Sequence, residues 1–117
     1  MIIDDLLKYV REQYGTVPDY PWAKYPEYAV LRHSGNRKWY GLIMRIKKKH
    51  LGLDSDDLID VINIKCSPQV HEILIAEKKA YPAYHMNKEK WITLPLDNTL
   101  EKDIIFKLID ESYNLTR

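Results

Sequence analysis

Apolar residues recur at helical spacing over residues 2–14, where Ile3, Leu6, Leu7, Val10 and Tyr14 form one stripe. Gly15 follows and can take the left-handed conformation that ends a helix. Pro18, Pro21 and Pro26 then forbid a helix or an interior strand. Tyr20, Trp22, Tyr25 and Tyr28 lie in or beside this stretch, and a solvated linker would not carry four aromatics. A loop packed over one edge of the core is expected. Residues 28–34 read as a strand, Ser34-Gly35-Asn36-Arg37 as turn chemistry, and residues 37–48 as a second, longer strand completing a hairpin. A loop from Leu51 to Leu58 leads to a third strand at residues 59–66. Ser67 and Pro68 open a helix as N-cap and first position, with Val70, Ile73 and Leu74 as its buried stripe and an end near Lys79. Residues 90–96 form the last strand. Asn98 with Glu101 fits a capping pair for a final helix whose inner face holds Leu100, Ile104, Ile105, Leu108, Ile109 and Ser112.

The order α-β-β-β-α-β-α predicts a single α+β domain over residues 1–117. It has an antiparallel sheet, with the helices packed on one face. Alternation along the strands then sorts side chains between two faces. Tyr40, Leu42, Met44, Ile46, Ile62, Ile64, Cys66, Ile92, Leu94 and Leu96 make an aliphatic face suited to burial. Trp39, Ile43, Arg45, Lys47, Val61, Asn63, Lys65, Trp91 and Thr93 fall on the other. Indoles among cations and amides are costly to leave bare unless something docks there, so this face is the expected binding surface. The alternative is that loop 16–27 folds over the tryptophans and buries them.

The 117 residues suit one core, and the 45% hydrophobic and 30% charged fractions are those of an ordinary globular protein. The formal net charge of +1 argues against a polycation that binds nucleic acid nonspecifically, while leaving room for a basic face. The lone Cys66 excludes an internal disulfide and, with acids near the N-terminus and no apolar run of membrane-spanning length, predicts a cytoplasmic protein.

Charge is uneven along the chain. Residues 31–50 contain Arg32, Arg37, Lys38, Arg45, Lys47, Lys48 and Lys49 with no acid, and Asp54, Asp56, Asp57 and Asp60 follow. The basic hairpin resembles a wing laid along a phosphate backbone, or else a solvated tip neutralised by those acids. The aspartates lack the glycine and terminal glutamate of a calcium loop, and the four histidines show no zinc-ligand spacing, so no metal and no cofactor is expected. Cys66 reads as a small buried hydrophobe. The densest chemistry lies in Tyr84-His85-Met86-Asn87-Lys88, where His85, Asn87 and Lys88 offer donors to a phosphate or carboxylate, or else satisfy nearby backbone. Met86 is expected in the core.

Several runs together carry a resemblance. Tyr28-Ala29-Val30-Leu31-Arg32-His33-Ser34-Gly35-Asn36-Arg37-Lys38, Asn63-Ile64-Lys65-Cys66-Ser67-Pro68 and Pro82-Ala83-Tyr84-His85-Met86-Asn87-Lys88-Glu89-Lys90-Trp91, with Trp22 before them, resemble the MmcQ/YjbR family over nearly the whole chain. The resemblance implies a CyaY/frataxin-like topology, a double-wing DNA-binding arrangement, and no established catalytic residue or cofactor. It does not carry frataxin's iron chemistry, since fold alone does not transfer function.

Three classes of function remain. The first is a non-catalytic DNA-binding protein using Arg32, Arg37, Lys38, Arg45, Lys47, Asn63, Lys65, His85, Asn87, Lys88 and Trp91. The second is a protein-interaction domain using the tryptophan-bearing face. The third is a small-ligand or anion site at Tyr84, His85, Asn87 and Lys88, which requires a pocket there. A monomer without membrane contact is expected.

Overall fold

The computed structural model describes residues 2–117. Helix α1 (Ile2–Tyr14) buries Leu6 and Val10, and Gly15 at φ 70° ends it by donating its N–H to the Arg11 carbonyl at 2.9 Å. Strands β1 (Ala29–Arg32) and β2 (Trp39–Lys47) form the expected hairpin, and a short 3-10 turn (Lys48–Leu51) leads toward β3 (Leu58–Lys65). Helix α2 (Pro68–Ala76) begins as read: the Ser67 Oγ accepts the Val70 N–H at 3.3 Å. Strand β4 (Tyr81–Pro82), β5 (Trp91–Pro95) and helix α3 (Lys102–Leu115) complete the chain. The result is a mixed α+β fold with one antiparallel sheet in the order β1-β2-β3-β5-β4.

Four local expectations need correction. Ile104, expected on the inner face of α3, is exposed. The two-residue β4 is additional, and Pro82, which has no N–H to donate, fits only at such an edge. Asn98 does not cap α3. It sits in a left-handed turn at φ 73° in which the Asp97 carboxylate accepts both the N–H (3.0 Å) and the hydroxyl (2.6 Å) of Thr99, and Glu101 takes the N-cap without a side-chain bond. In α2, Ile73 is exposed, and Ile75 packs against the core in its place.

Both faces of the sheet are covered. Under the helices lie Tyr40, Ile43, Ile62, Ile64, Ile92 and Leu94, packed with Leu6, Val10, Ile105 and Ile109. On the other face Val30, Leu42, Met44, Ile46, Ile59 and Val61 form a second cluster. Trp22, Tyr28, Trp39, Tyr84 and Met86 pack on it from the two long loops. Loop 16–28 therefore does cover part of this face. Trp39 and Trp91 remain half-buried.

Leu42, Met44 and Ile46 were expected under the helices but belong to the second cluster, whereas Ile43 lies under the helices. The cause is a bulge. Leu31 pairs with Gly41 but Arg32 with Trp39, so Tyr40 has no partner and the alternation changes phase. By the same alternation Arg45 and Lys47 leave the expected face with Ile43; Arg45 pairs with Asp60, and both side chains still line a groove at the strand's end beside Tyr25 and Tyr28. In β3 and β5 no bulge intervenes, and Asn63, Lys65, Trp91 and Thr93 lie opposite Ile62, Ile64, Ile92 and Leu94 by alternation.

Candidate functional site

The loop over the second face is pinned to β1. Asp19 and Val30 exchange backbone hydrogen bonds at 3.0 and 2.8 Å, while the Asp19 carboxylate accepts Arg32 Nε at 2.8 Å and an Arg37 Nη at 3.2 Å. Two successive turns follow, Tyr25 N–H to the Trp22 carbonyl and Tyr28 N–H to the Tyr25 carbonyl, both at 3.1 Å. They space Trp22, Tyr25 and Tyr28 three residues apart along one wall. Trp22 meets Tyr28 and Trp39 nearly at right angles, 82° in each case, with centroids 6.1 and 5.8 Å apart. Tyr25 stacks on Tyr28 at 4.7 Å. Together these rings wall a cavity of about 220 Å³ floored by Leu42 and Met44, with His85 and Met86 as its far lip.

A buried network fixes that lip. Asn63 is fully enclosed, donates its amide to the Tyr84 carbonyl at 2.8 Å and accepts the Thr93 hydroxyl at 2.5 Å. Thr93 Oγ1 also accepts the Tyr84 N–H at 3.1 Å. The chain then turns through His85 at φ 66°, a left-handed conformation uncommon for a residue with a side chain. The Tyr84 ring lies against both His85 (3.8 Å) and His50 (4.9 Å). Burial first, then the Tyr84 and Tyr25 rings and Glu27, pushes the Tyr28 phenol above its usual range, so it stays a neutral hydroxyl.

Tyr25, Tyr28 and His85 also line an adjoining groove of about 330 Å³, whose charged groups are Glu27, Arg45, Lys47, Lys49 and His50. Cavity and groove share these walls, so the two form one concave surface.

The sequence-predicted site residues separate. Arg32 and Arg37 share Asp19, and Arg45 holds Asp60 at 2.8 Å. Asn63 has no free edge, because its amide is spent on Tyr84 and Thr93. Asn87 is exposed, but its Oδ1 accepts the Glu89 N–H at 2.8 Å, and its carbonyl accepts Trp91 N–H at 3.0 Å. His85 lines the cavity, while Lys88 is exposed, its carbonyl contacted by His71 Nε2 at 3.1 Å. Among the described residues Lys38, Lys47, Lys65 and Lys88 hold no carboxylate. They fall at two ends of the sheet: the antiparallel register puts Lys65 level with the Trp39 end of β2, and Lys47 at the opposite end. The uncommitted lysines are therefore divided between two ends of the sheet, with the aromatic cavity between them.

Reading the sequence gave Trp22, Tyr25 and Tyr28 a packing role and left out their cavity. The visible signal was their spacing of three in a proline-rich loop. Cys66 is buried, and burial, then Glu111, pushes its thiol up to about 11, so it remains protonated. Among the described residues no three His, Cys, Asp or Glu side chains gather as metal ligands would, and no helix is long and apolar enough to cross a membrane.

The sequence model of a family described as YjbR matches residues 11–115. The uncharacterised protein YyaQ of Bacillus subtilis (strain 168) is 48% identical over 114 residues, 97% of each chain. YjbR of Escherichia coli (strain K12) is 36% identical over 53 residues, 44% of this chain and 45% of its own. Among solved structures, a crystal structure of a protein from Pseudomonas syringae superimposes with a TM-score of 0.90 at 46% identity, covering 97% of both chains. A Deinococcus radiodurans protein with a DUF419 domain shares the fold, with a TM-score of 0.72 at 24% identity over 97% of this chain and 76% of its own.

Proposed function

The chain belongs to the YjbR family, and we propose that it is a non-catalytic DNA-binding protein whose contact surface is the loop-covered side of the sheet. The observation that carries this reading is the aromatic cavity with uncommitted lysines toward both ends of the sheet beneath it. Aromatic walls stack on bases of any sequence, and flanking cations hold the backbone on either side. A DNA strand running along β2 would meet Lys65 near one end, the cavity at the middle and Lys47 at the other.

The basic-wing version of the reading loses support. Arg32, Arg37 and Arg45 each hold a carboxylate, so the hairpin offers a phosphate backbone fewer cations than its sequence contains. These surface pairs are worth little and exchange readily, but a phosphate must compete for them.

The test is fluorescence anisotropy with labelled single- and double-stranded DNA at low salt. A saturable rise that salt weakens is expected. No rise with either form at millimolar protein would overturn the reading.

A further inference from the structure

We propose that the cavity walled by Trp22, Tyr25, Tyr28 and Trp39 receives a single unstacked nucleobase, so that the protein takes DNA with an unpaired base and not an intact duplex. The inference rests on the DNA-binding reading and specifies what enters the site.

Size is the first argument. A volume of about 220 Å³ lies below the roughly 300–1,000 Å³ of pockets that enclose whole drug-sized ligands, so it suits one ring system with the remainder outside. The adjoining groove, which shares Tyr25, Tyr28 and His85, gives the sugar and phosphate a way out past Lys47.

The second argument is the state of the polar edges. Three tyrosine hydroxyls elsewhere are spent, Tyr9 and Tyr14 on Asp110 and Tyr40 on Thr16 at 2.5 Å, while those of Tyr20, Tyr81, Tyr84 and Tyr113 have no partner among the described residues. In the cavity the hydroxyls of Tyr25 and Tyr28, the indole N–H groups of Trp22 and Trp39 and the His85 imidazole have no hydrogen-bond partner among the described residues. None of these atoms is sealed from solvent. The lining is mostly apolar ring face, so a planar heterocycle can stack on it and turn its polar rim to these few free edges.

The third argument separates a base from an alkylammonium ion, the other ligand that aromatic boxes take. The Arg32 guanidinium already lies 5.4 Å from the centre of the Trp39 ring, and it repels a second cation near the same indole. Quaternary ammonium groups also cannot use the free hydroxyls and N–H groups. A neutral heterocycle meets neither objection.

Tryptophan fluorescence and anisotropy supply the test, with a ten-residue single strand of thymidylate, the matching duplex with adenylate, and free dTMP as probes. The single strand should bind about tenfold or more tightly than the duplex, because a paired base must first be flipped out. It should also quench tryptophan emission, as should dTMP at millimolar concentration. Tyr25→Ala, at an exposed ring, and His85→Asn, which removes the ring at the lip while tolerating the left-handed backbone, should each weaken single-strand binding several-fold without shifting the thermal midpoint. Trp39→Leu should weaken it about tenfold or more, a loss typical of a stacked base. Equal affinity of all three variants and the parent for the single strand would overturn the base pocket and leave DNA binding standing. Tighter binding to the duplex would do the same. Quenching by tetramethylammonium but not by dTMP would also overturn it. If neither strand form binds, the DNA-binding reading fails with it.

Discussion

His33 shows how one residue can make stability depend on pH. It follows β1 and is buried against the end of α3, 4.2 Å from the Tyr113 ring and edge-on to Tyr40 at 5.3 Å. The Thr116 hydroxyl donates to the Ser112 carbonyl at 2.8 Å, so at the 2.8 Å contact with His33 Nε2 the ring must be the donor. Burial lowers the imidazole below its ordinary range, and the nearby charges of Arg117 and Lys38 lower it further. The folded value is thus below the unfolded one, and the unfolded chain binds the proton more readily. His33 therefore contributes its full stability above about pH 6.5 and loses it as pH falls toward the folded value. Urea midpoints should drop between pH 7.5 and pH 5, and His33→Gln should flatten that drop; parallel profiles for variant and parent would contradict the assignment. Residue identity alone did not reveal His33's role, and Asn63 shows why. Alternation gave Asn63 the correct face. Its role depends on loop 83–90 returning over that face 21 positions later, which no local pattern records.

At the scale of elements, the junction of α3 with the sheet turns on Ser112. Its hydroxyl donates to the carbonyl of Tyr40 at 2.7 Å and accepts the N–H of Lys65 at 2.9 Å. Tyr40 is the residue the bulge leaves without a partner across β1, and Lys65 ends β3, so one fully buried hydroxyl serves both strands. Removing it orphans two backbone groups, each at a cost of about 1–3 kcal/mol, beyond the roughly 1 kcal/mol of an ordinary net hydrogen bond. Ser112→Ala should thus lower unfolding free energy by about 2 kcal/mol or more in urea titrations, with the secondary structure retained. A loss below about 0.5 kcal/mol would mean that water replaces the hydroxyl. The elements themselves were legible: helix 2–14, the Ser67 cap and every strand of three residues or more lie within two residues of the pattern. The phase of β2 was not, because a bulge is set by pairing between strands. Gly41 was the one visible clue. A Cβ there would stand 3.0 Å from Leu31 Cδ1, and a glycine inside a strand pattern often marks an irregular ladder.

At the scale of the whole molecule, the proposed DNA binding turns on how many cations a strand could neutralise. Eighteen lysines and arginines against seventeen acids leave little net attraction, so binding depends on which cations are uncommitted. Linear reading of residues 31–50 offered seven together; folding assigns Arg32, Arg37, Arg45 and Lys49 to carboxylates. Lys38, Lys47 and Lys48 remain, and the nine residues of β2 put Lys38 roughly 30 Å from the other two. On the proposed path an extended strand would meet Lys47 at one end of the sheet and, at the other, Lys65 with Lys88, which lies three residues before Lys65's partner Trp91. At roughly 0.7 counterions released per neutralised phosphate on a single strand, the logarithm of affinity should fall with the logarithm of salt with a slope of about −2. All seven hairpin cations would give about −5. Lys47→Ala should make the slope shallower by about 0.7, whereas Arg45→Ala should leave it unchanged, since Arg45 is held by Asp60 at 2.8 Å and Lys47 holds no carboxylate among the described residues. A slope near −5 that Arg45→Ala reduces would return the contact surface to the basic hairpin and remove the division of charge on which the strand's path depends.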